Sequence, residues 1–227
     1  MRAILLAAGL GTRLRPITDS IPKCLVPIKG RPLLEIWIKN LLNSGVKEIL
    51  INTHYLSHLV TEYIRKSEYR ESIQLVHEDV LLGTAGTLKK NIKFFDGQDG
   101  LLIHADNYCE DELVGFYEAH RKRPSECLIT MMTFRTDSPN SCGIVEIDKN
   151  KILVDFHEKK INPPGNLANG AIYALSSKLL NEIEASNELG NDFSLDIINA
   201  YKEKILTYET KKILLDIGTV HNYNKVR

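Results

Sequence analysis

Residues 9–16 (GLGTRLRP) are the segment whose composition is best suited to chemistry, and they directly follow the first apolar run of the chain. Gly9 and Gly11 let the backbone turn sharply and bring its N–H groups close to an anion. Arg13 adds a planar fork of donors that matches phosphate oxygens, and Lys23 supplies a second cation shortly afterwards. The segment therefore predicts a phosphate-binding loop.

This loop departs from two common glycine-rich phosphate motifs. Its second glycine is not followed by Lys and then Ser or Thr, so it is not a Walker A motif. Leu14 stands where the dinucleotide-binding pattern G-x-G-x-x-G needs its third glycine, and Pro16 disfavours a helix that begins tightly at the turn. We therefore expect a phosphate site of another type.

Two aspartates stand at the ends of apolar runs that are far apart in the chain. Asp106 follows residues 101–105 (LLIHA), and Asp216 closes residues 213–216 (ILLD). Because α/β folds place their sites at the carboxyl edge of the sheet, we expect both carboxylates at that edge. Mg²⁺ takes one or two carboxylates together with phosphate oxygens and water. Asp106 and Asp216 are therefore the predicted magnesium ligands.

Other reactive side chains show no comparable arrangement. The four cysteines have irregular spacing and form no C-x-x-C pair, so we expect reduced, free thiols. His54 and His58 have the i, i+4 spacing of a metal-binding helix face, but the glutamate of H-E-x-x-H is missing and no zinc site is expected. Trp37 and the scattered tyrosines show no regular basic interleaving, which disfavours a surface that stacks nucleic-acid bases.

The composition is that of an ordinary globular protein. The 227 residues include 29 Lys+Arg and 29 Asp+Glu, and 43% are hydrophobic. This balance of charge argues against a protein that binds nucleic acid through phosphates. Apolar runs such as residues 3–8 are far shorter than the roughly 20 residues of a membrane span, and no signal peptide precedes them. We therefore expect a cytoplasmic protein with neither a nucleic-acid nor a membrane partner.

The first half of the chain alternates apolar runs of strand length with amphipathic stretches of helix length. This alternation predicts an α/β fold with a mostly parallel, Rossmann-like sheet flanked by helices. The predicted strands cover residues 3–8, 48–52, 73–76, 101–105 and 127–134, and the predicted helices cover residues 33–43, 56–65, 85–93 and 110–121.

After residue 134 the apolar runs become shorter. Residues 144–147 and 153–158 flank a turn at 148–150 and predict a β-hairpin. The remaining predicted elements are a surface loop at 162–169, a strand at 171–175, a helix capped by Ser176 and ending near 185, a helix capped by Asp192 or Ser194 and ending at 202, a strand at 213–216 and a short helix from Thr219. Since no linker divides the chain, we predict a single domain, residues 1–227, whose halves 1–134 and 135–227 face a shared cleft.

A family resemblance covers most of the chain. Residues 5–35 (LLAAGLGTRLRPITDSIPKCLVPIKGRPLLE) resemble the N-terminal signature of the sugar-1-phosphate nucleotidyltransferases, which include mannose-1-phosphate guanylyltransferases, glucose-1-phosphate thymidylyltransferases and N-acetylmuramate-1-phosphate uridylyltransferase. Further matching blocks follow in the family's order, at 77–78 (HE), 82–86 (LGTAG), 105–107 (ADN), 143–146 (GIVE), 158–159 (EK), 168–170 (ANG) and 216–219 (DIGT). The resemblance implies the nucleotide-diphospho-sugar transferase fold, with a small sugar-binding β-hairpin.

The implied reaction joins a nucleoside triphosphate (NTP) to a sugar 1-phosphate. A phosphate oxygen of the sugar 1-phosphate attacks the α-phosphorus, and pyrophosphate leaves in line, with Mg²⁺ bridging the oxygens. A phosphate monoester has its second pKa near 6, so the nucleophile is already mostly dianionic and needs no activating base. No Ser-His-Asp or Cys-His set stands out in the sequence, in keeping with this chemistry. Catalysis should then consist of positioning and charge stabilisation.

The resemblance also carries roles to particular residues. The catalytic residues are Arg13, Lys23, Asp106 and Lys159; the nucleotide contacts are Leu6, Ala7, Ala8, Gly9, Gly11, Thr12, Arg13, Glu78, Gly83, Thr84 and Ala85; the sugar-phosphate contacts are Asn107, Gly143, Glu158, Lys159 and Asn169. Residues 1–134 are mainly the nucleotide-binding half and residues 135–227 mainly the sugar-phosphate half. The family usually has proline after the lysine at 159, whereas this chain has Lys160, which leaves the shape of that loop open.

The identity of the base rests on one acidic residue. Guanine presents two adjacent N–H donors that suit a carboxylate such as Glu78, whereas uracil and thymine suit an amide better. GTP is therefore favoured, with UTP, dTTP and CTP as alternatives, while the sugar cannot be read from these residues. Two other functions remain open: a cytidylyltransferase for a phosphocholine-like phosphate, and a catalytically silent regulatory homologue.

The expected product is a nucleotide sugar for surface polysaccharide. The chain ends soon after the block at 216–219, so we expect none of the C-terminal domains that many relatives use for assembly, and a monomer or simple homodimer.

Overall fold

A computed structural model describes residues 1–186 and 188–227. The strands are β1 (Arg2–Leu6), β2 (Pro27–Ile28), β3 (Arg31–Pro32), β4 (Glu48–Thr53), β5 (Ile73–His77), β6 (Gly100–His104), β7 (Asn107–Cys109), β8 (Ile129–Arg135), β9 (Gly143–Ile147), β10 (Leu153–Glu158), β11 (Leu167–Leu175), β12 (Ile205–Glu209) and β13 (Leu214–Asp216). The α-helices are α1 (Leu33–Asn43), α2 (Ser57–Lys66), α3 (Thr84–Lys90), α4 (Leu113–Arg121), α5 (Ser177–Ala185), α6 (Ile198–Tyr201) and α7 (Val220–Asn224), and a π-helical turn covers Phe193–Ile197.

The large sheet has a parallel centre. Its strands run in the order β10-β9-β11-β6-β1-β4-β5, and β8 pairs with both β11 and β12. Strand β1 is parallel to β4 and β6, and β4 is parallel to β5. Strand β11 joins β6 in the antiparallel direction, and β9 and β10 form an antiparallel hairpin. The predicted α/β fold with helices around a parallel centre and a β-hairpin is confirmed.

The side chains of β1 show why this strand is central. Ala3, Ile4 and Leu5 are fully buried, as in a parallel sheet that is covered on both faces. Ala3 and Leu5 belong to the core formed with α1, α2 and α4, whereas Ile4 belongs to the core formed with α3 and α5. The alternation of successive side chains across the strand therefore divides the core into two layers.

Several predicted elements are confirmed closely. Helix α1 has the predicted bounds, and the hairpin of β9 and β10 lies where it was expected. Ser176 and Asp192 each accept a hydrogen bond from a backbone N–H in the first turn that follows, as predicted caps should, and Thr219 does the same at the start of the predicted short helix. These positions carry local signals, which do not depend on distant parts of the chain.

Other predictions were wrong at their edges. The helix expected from residue 110 begins at Leu113, because residues 107–109 pair with β13 instead. The loop expected at 162–169 ends earlier, since β11 already begins at Leu167. Strand β12 was not predicted, and the helix expected to reach residue 202 begins as a π-helical turn and ends at Tyr201.

Both halves of the chain contribute to one sheet, since β11 pairs with β6 across residues 172–175 and 100–103. The division into functional halves at residue 134 stays a prediction. No helix in the described part of the chain is long and apolar enough to cross a membrane.

Candidate active site

Two adjoining cavities lie at the carboxyl edge of the parallel strands. The first cavity, of about 400 Å³, is lined by the loop after β1 and by residues from β4, α3 and the segment before α3. The second cavity, of about 330 Å³, is lined by residues from β10, β11 and the π-helical turn. Arg13, Thr84, His104 and Asp106 line both cavities and so form their common wall.

Backbone contacts hold the loop after β1 in place. Ala7 N donates to Asn52 Oδ1 at 2.7 Å, which ties the start of the loop to the end of β4. Gly11 has a φ of 64°, and a Cβ there would lie 3.0 Å from Thr18 Cγ2. A glycine is needed at this position because its backbone is left-handed and its surroundings are close. Thr18 Oγ1 donates to Gly11 O at 2.7 Å and closes the turn.

Lys23 connects the two predicted magnesium ligands. Its Nζ donates to Asp106 Oδ2 at 2.9 Å and to Asp216 Oδ1 at 3.2 Å, and the lysine side chain is only 7% exposed. Asp106 lies two residues after the last residue of β6, and Asp216 closes β13, whose pairing with β7 sets Asp216 opposite Asn107. Arg13 Nη2 lies 3.6 Å from Asp216 Oδ2. The structure therefore brings the predicted carboxylates and both predicted cations together.

The charges of this cluster support one another. Burial lowers the pKa of Lys23, but the charges of Asp106 and Asp216 and the hydrogen bonds to them outweigh burial and raise that pKa. Burial raises the pKa of Asp106, but the charge of Lys23, the neighbouring His104 and the hydrogen bonds to the carboxylate together outweigh burial and lower that pKa. Lys23 is therefore an ammonium and Asp106 a carboxylate at neutral pH.

These residues fit a hard divalent cation. Asp106 and Asp216 already share one cationic group, and their side chains remain 41% and 38% exposed. Carboxylate oxygens that are open to a cavity are the donors that Mg²⁺ takes, together with phosphate oxygens and water.

Glu78 is a buried wall residue of the first cavity. Its side chain is 1% exposed, its Oε1 accepts from Asn52 Nδ2 at 2.9 Å and from Thr87 Oγ1, and its Oε2 accepts from Leu82 N at 3.2 Å. The carboxylate thus joins the end of β4 to the start of α3. Glu78 is therefore not a solvated loop acid, because the surrounding strands and helix remove it from water. Its contact with a base stays a prediction.

The start of α3 packs against the segment that precedes the π-helical turn. Ala85 N donates to Asn191 O at 2.8 Å, and Phe193 N donates to Thr84 Oγ1 at 2.7 Å. Gly83 has a φ of 80°, and a Cβ there would lie 2.5 Å from Asn191 O. Ala85 is fully buried and lines neither cavity, unlike the other predicted site residues of the described chain. Its predicted nucleotide contact has no support from the geometry, because its N–H is already used.

The hairpin of β9 and β10 carries the acidic and basic pair of the second cavity. Lys159 Nζ lies 2.9 Å from Glu158 Oε1, and Lys159 N donates to Cys142 O at 3.1 Å. A Cβ at Gly143 would lie 2.6 Å from Glu158 Oε2. Gly143 therefore makes room for the glutamate, which fits its place in the predicted set. Lys160, which departs from the family pattern, has its Nζ 3.0 Å from His157 Nδ1.

Two predicted asparagines are partly engaged by the chain itself. Asn169 lies within β11 and not in a loop, at an irregularity of the pairing with β8. Its Nδ2 donates to Tyr173 Oη at 2.7 Å and its Oδ1 accepts from Ala171 N at 2.9 Å. Asn107 Nδ2 donates to Gly170 O at 3.1 Å. Both side chains line the second cavity and also shape its wall.

Several wall residues were missed at the sequence level. Asn52 and Thr87 line the first cavity, Asp192, Ser194 and Leu195 line the second, and His104 lines both. Burial lowers the pKa of His104, so its ring is neutral. A polar residue at the end of an otherwise apolar strand was the available signal for Asn52 and His104. The cap at Asp192 was recognised, but its nearness to the cavity depends on the tertiary fold.

A second group of possible metal ligands lies outside both cavities. Glu146, Asp155 and His157 offer ligand atoms within 4.8 Å of one another on the hairpin. His157 Nε2 lies 2.5 Å from Glu146 Oε1, and Lys202 Nζ lies 3.4 Å from Asp155 Oδ1. Protein cations already partner this group, which therefore has the character of an ion-pair network.

The cysteines are free, as predicted. Burial raises the pKa of Cys24 and of Cys109 to about 12, so both thiols stay protonated at neutral pH.

Comparison with known proteins gives matches along almost the whole chain. The family model for nucleotidyl transferase matches residues 2–227. A mannose-1-phosphate guanyltransferase of Pichia angusta is 29% identical over 224 residues, which are 96% of this chain and 61% of that protein. The chain thus spans less than two thirds of the length of some of its curated relatives.

Two further matches are nearly equal in length to this chain. The D-glycero-alpha-D-manno-heptose 1-phosphate guanylyltransferase of Campylobacter jejuni is 26% identical over 224 residues, covering 98% of this chain and 97% of that protein. The crystal structure of HddC from Yersinia pseudotuberculosis complexed with GMP-PN superposes with a TM-score of 0.82 at 26% identity, covering 99% and 97% of the two chains.

Proposed function

This chain belongs to the nucleotidyl transferase family, and from that premise we propose that it transfers the guanylyl group of GTP to a manno-configured sugar 1-phosphate, releasing pyrophosphate. The relatives named above act, by their names, on mannose 1-phosphate and on a manno-heptose 1-phosphate. Their common configuration is the reason for proposing that class of sugar.

The observation that carries this proposal is the contact of Lys23 with both Asp106 and Asp216 beside the loop of Arg13. Residues 193 positions apart meet there, at the wall between two cavities. A site that must hold a triphosphate, a second phosphate and a cation needs this mixture of fixed positive and negative groups.

The two cavities suit the two substrates. We assign GTP to the first cavity, with its triphosphate along the glycine-rich loop, and the sugar 1-phosphate to the second. The reacting phosphates would then meet at the common wall of Arg13, Thr84, His104 and Asp106. Holding both reactants in adjoining sites turns a bimolecular reaction into an effectively unimolecular one.

The chain's cations have separate tasks in this scheme. Arg13 and Lys23 neutralise the triphosphate and the charge that develops on pyrophosphate, and Lys159 holds the phosphate of the sugar. That phosphate is mostly dianionic at neutral pH, so no side chain has to remove a proton from it. Asp106 and Asp216 would hold Mg²⁺, which when bound supplies further charge neutralisation on phosphate oxygens.

The choice of guanine rests on the guanylyltransferase relatives. Glu78 lines the first cavity, but both of its carboxylate oxygens already accept hydrogen bonds from the chain. Glu158 and Asn169 in the second cavity are acceptors and donors suited to sugar hydroxyls. Uracil, thymine and cytosine nucleotides remain the alternatives that the experiment must exclude.

The test is pyrophosphate release from GTP, UTP, dTTP and CTP, each paired with mannose 1-phosphate, manno-heptose 1-phosphate, glucose 1-phosphate or phosphocholine in the presence of Mg²⁺. We expect the highest kcat/KM for GTP with a manno-configured sugar. Preference for another nucleotide would refute the base assignment and leave the reaction class standing. Tight binding of nucleotide without turnover of any pair would instead favour a silent regulatory protein.

A further inference from the structure

His104 stands out in the common wall of the cavities. It closes β6 and lines both cavities, yet its Nε2 is buried and has no hydrogen-bond partner in residues 1–186 and 188–227. Buried polar atoms in native proteins are nearly always paired, so an unpaired ring nitrogen at a cavity wall calls for an explanation. A ligand in the cavity that accepts or donates a hydrogen bond is one such explanation.

The position of the ring is determined by packing. Leu102, two residues earlier on the same strand, is fully buried in the core that contains Tyr173. The imidazole of His104 contacts the ring of Tyr173 edge to face, with centroids 6.4 Å apart, and Tyr173 in turn packs on Phe193 at 4.4 Å. Position 104 lies on the same face of β6 as the buried Leu102, so an apolar side chain would fit there. The chain instead has histidine, whose ring nitrogens can form hydrogen bonds.

The neighbourhood of the ring points to a phosphate. The register of β6 with β1 sets His104 opposite Leu6, where the glycine-rich loop is about to begin. Asp106 is two residues away, and Arg13 and Thr84 complete the wall. Arg13 offers cationic N–H donors to an anionic ligand, and the carboxylate of Asp106 can reach such a ligand through a bound cation. A phosphoryl oxygen suits both, because it accepts hydrogen bonds from N–H donors and binds cations.

We propose that the imidazole of His104 donates a hydrogen bond to a phosphoryl oxygen at the junction of the two cavities, which adds a phosphate-binding residue to the proposed function on which it rests. Either ring nitrogen can carry the N–H that donates. The oxygen belongs either to the α-phosphate of the nucleotide or to the phosphate of the sugar. Both sources present the same chemistry to the ring, and the experiment separates them.

The test compares three variants with the wild type, using the substrate pair that the wild type turns over. His104→Leu removes both ring nitrogens, His104→Asn keeps an amide near the place of Nδ1, and His104→Gln keeps one near the place of Nε2. We expect His104→Leu to lower kcat/KM about 10- to 100-fold, the effect of one hydrogen bond to a charged group. The kcat/KM of one of the two amide variants should lie within about 3-fold of the wild-type value, because that variant keeps an N–H donor at the right place.

Sulfur substitution identifies the phosphate. If His104 contacts the α-phosphate, replacing the contacted oxygen with sulfur in one GTPαS diastereomer lowers wild-type turnover but lowers His104→Leu turnover no further. If it contacts the sugar phosphate, His104→Leu raises the KM for the sugar 1-phosphate, and both diastereomers affect wild type and variant equally. Either outcome supports the proposal and assigns the oxygen.

His120 provides the matched control. It is a fully buried histidine that lines neither cavity, and its Nε2 faces Asp99 Oδ2 at 3.4 Å. We expect His120→Leu to change thermal stability. Its kcat and both KM values should stay within about 2-fold of the wild type, because His120 lines neither cavity. If His104→Leu fails to fold, the difference in kcat/KM between His104→Asn and His104→Gln, and the effect of sulfur substitution on each of them, still decide.

Two results would overturn the proposal in different ways. A folded His104→Leu enzyme with wild-type kcat and wild-type KM for both substrates removes the role of His104 and leaves the proposed function intact. Absence of turnover by the wild type with every substrate pair overturns the proposed function, and the role of His104 with it.

Discussion

Strand β6 has a charged cluster at each end, and the two clusters use similar groups differently. Asp106 follows the strand and shares the Lys23 ammonium with Asp216. Asp99 precedes the strand, and its Oδ2 lies 3.4 Å from Arg123 Nη1 and also 3.4 Å from His120 Nε2. Both clusters therefore set aspartate against a cation that is largely buried, at 7% exposure for Lys23 and 17% for Arg123.

The two clusters differ in how their remaining carboxylate oxygens are used. Asp99 Oδ1 accepts from Ser177 N at 2.7 Å, which adds a carboxylate to the N-terminus of α5, and one aspartate faces one arginine. At the other end, two aspartates face the buried Lys23 and the exposed Arg13, and the aspartate side chains remain about 40% open to the cavities. A cluster that the chain encloses stabilises the fold, whereas a cluster whose carboxylates stay open to a cavity can bind a ligand.

The largest effect should come from the aspartates of the open cluster. We expect Asp106→Asn and Asp216→Asn each to lower kcat about 10²- to 10³-fold, since each loses a carboxylate charge that the proposed reaction needs in its transition state. The melting temperature should stay close to that of the wild type, because neither carboxylate is fully buried. Pyrophosphate release and thermal unfolding measure the two effects. Turnover near the wild-type rate in either variant would remove that residue from the metal site.

Substitution of the cation should likewise reduce activity in one cluster and stability in the other. Lys23→Met should lower kcat about 10²-fold because, in the proposed reaction, it removes a charge that faces the triphosphate. Arg123→Met, at the opposite end of β6, should leave kcat unchanged and lower the free energy of unfolding by about 1–3 kcal/mol, the cost of unpairing a partly buried charge. Steady-state kinetics and urea unfolding test both. Equal losses of activity in the two variants would break the distinction between the clusters.

Asp99→Asn should affect stability alone. Loss of the carboxylate weakens the hydrogen bond from Ser177 N and leaves Arg123 without its partner, for an expected loss of about 1–3 kcal/mol. Activity at a temperature well below the melting point should equal that of the wild type. A parallel loss of kcat would show that this cluster communicates with the cavities.

The pH dependence of stability gives a further test of the role of Asp99. Burial alone would raise the pKa of Asp99, but contacts with His120, the Ser177 N–H and the charge of Arg123 outweigh burial and lower the pKa to about 2. Since an unfolded aspartate titrates near 3.9, the stabilisation is complete above about pH 4 and is lost as the pH falls toward 2, up to about 2 kcal/mol in total.

Asp99→Asn lacks this titration. The difference in free energy of unfolding between the wild type and Asp99→Asn should therefore shrink as the pH is lowered from 5 to 3 in urea titrations. A difference that stays constant over this range would mean that Asp99 keeps an ordinary pKa.

Local patterns in the sequence predicted much of the fold. The alternation of apolar and amphipathic stretches indicated the parallel centre of the sheet, and the cap at Ser176 and the helix predicted from Thr219 are confirmed by the structure. The period of hydrophobic residues and the preferences of cap residues act over a few positions, so one chain segment is enough to read them.

Pairing between distant segments was harder to predict. Strand β12 (ILTYE) is short, and its place beside β8 depends on a partner some 70 residues earlier. The pairing of residues 107–109 with β13 displaced a predicted helix start for the same reason. Asn169 was expected in a loop, yet β11 continues through it because β8 offers hydrogen-bond partners on that side. A short segment cannot reveal which other strand will satisfy its backbone.

The sequence by itself determined the kinds of chemistry available: a glycine-rich loop with cations, and aspartates at strand ends. Only the tertiary structure decided which of these groups meet. The contact between Lys23 and Asp216 spans 193 positions, Glu78 is buried between β4 and α3, and His104 lies where two cavities join. Residue types and spacings report local geometry, whereas such contacts arise from the packing of all strands and helices at once.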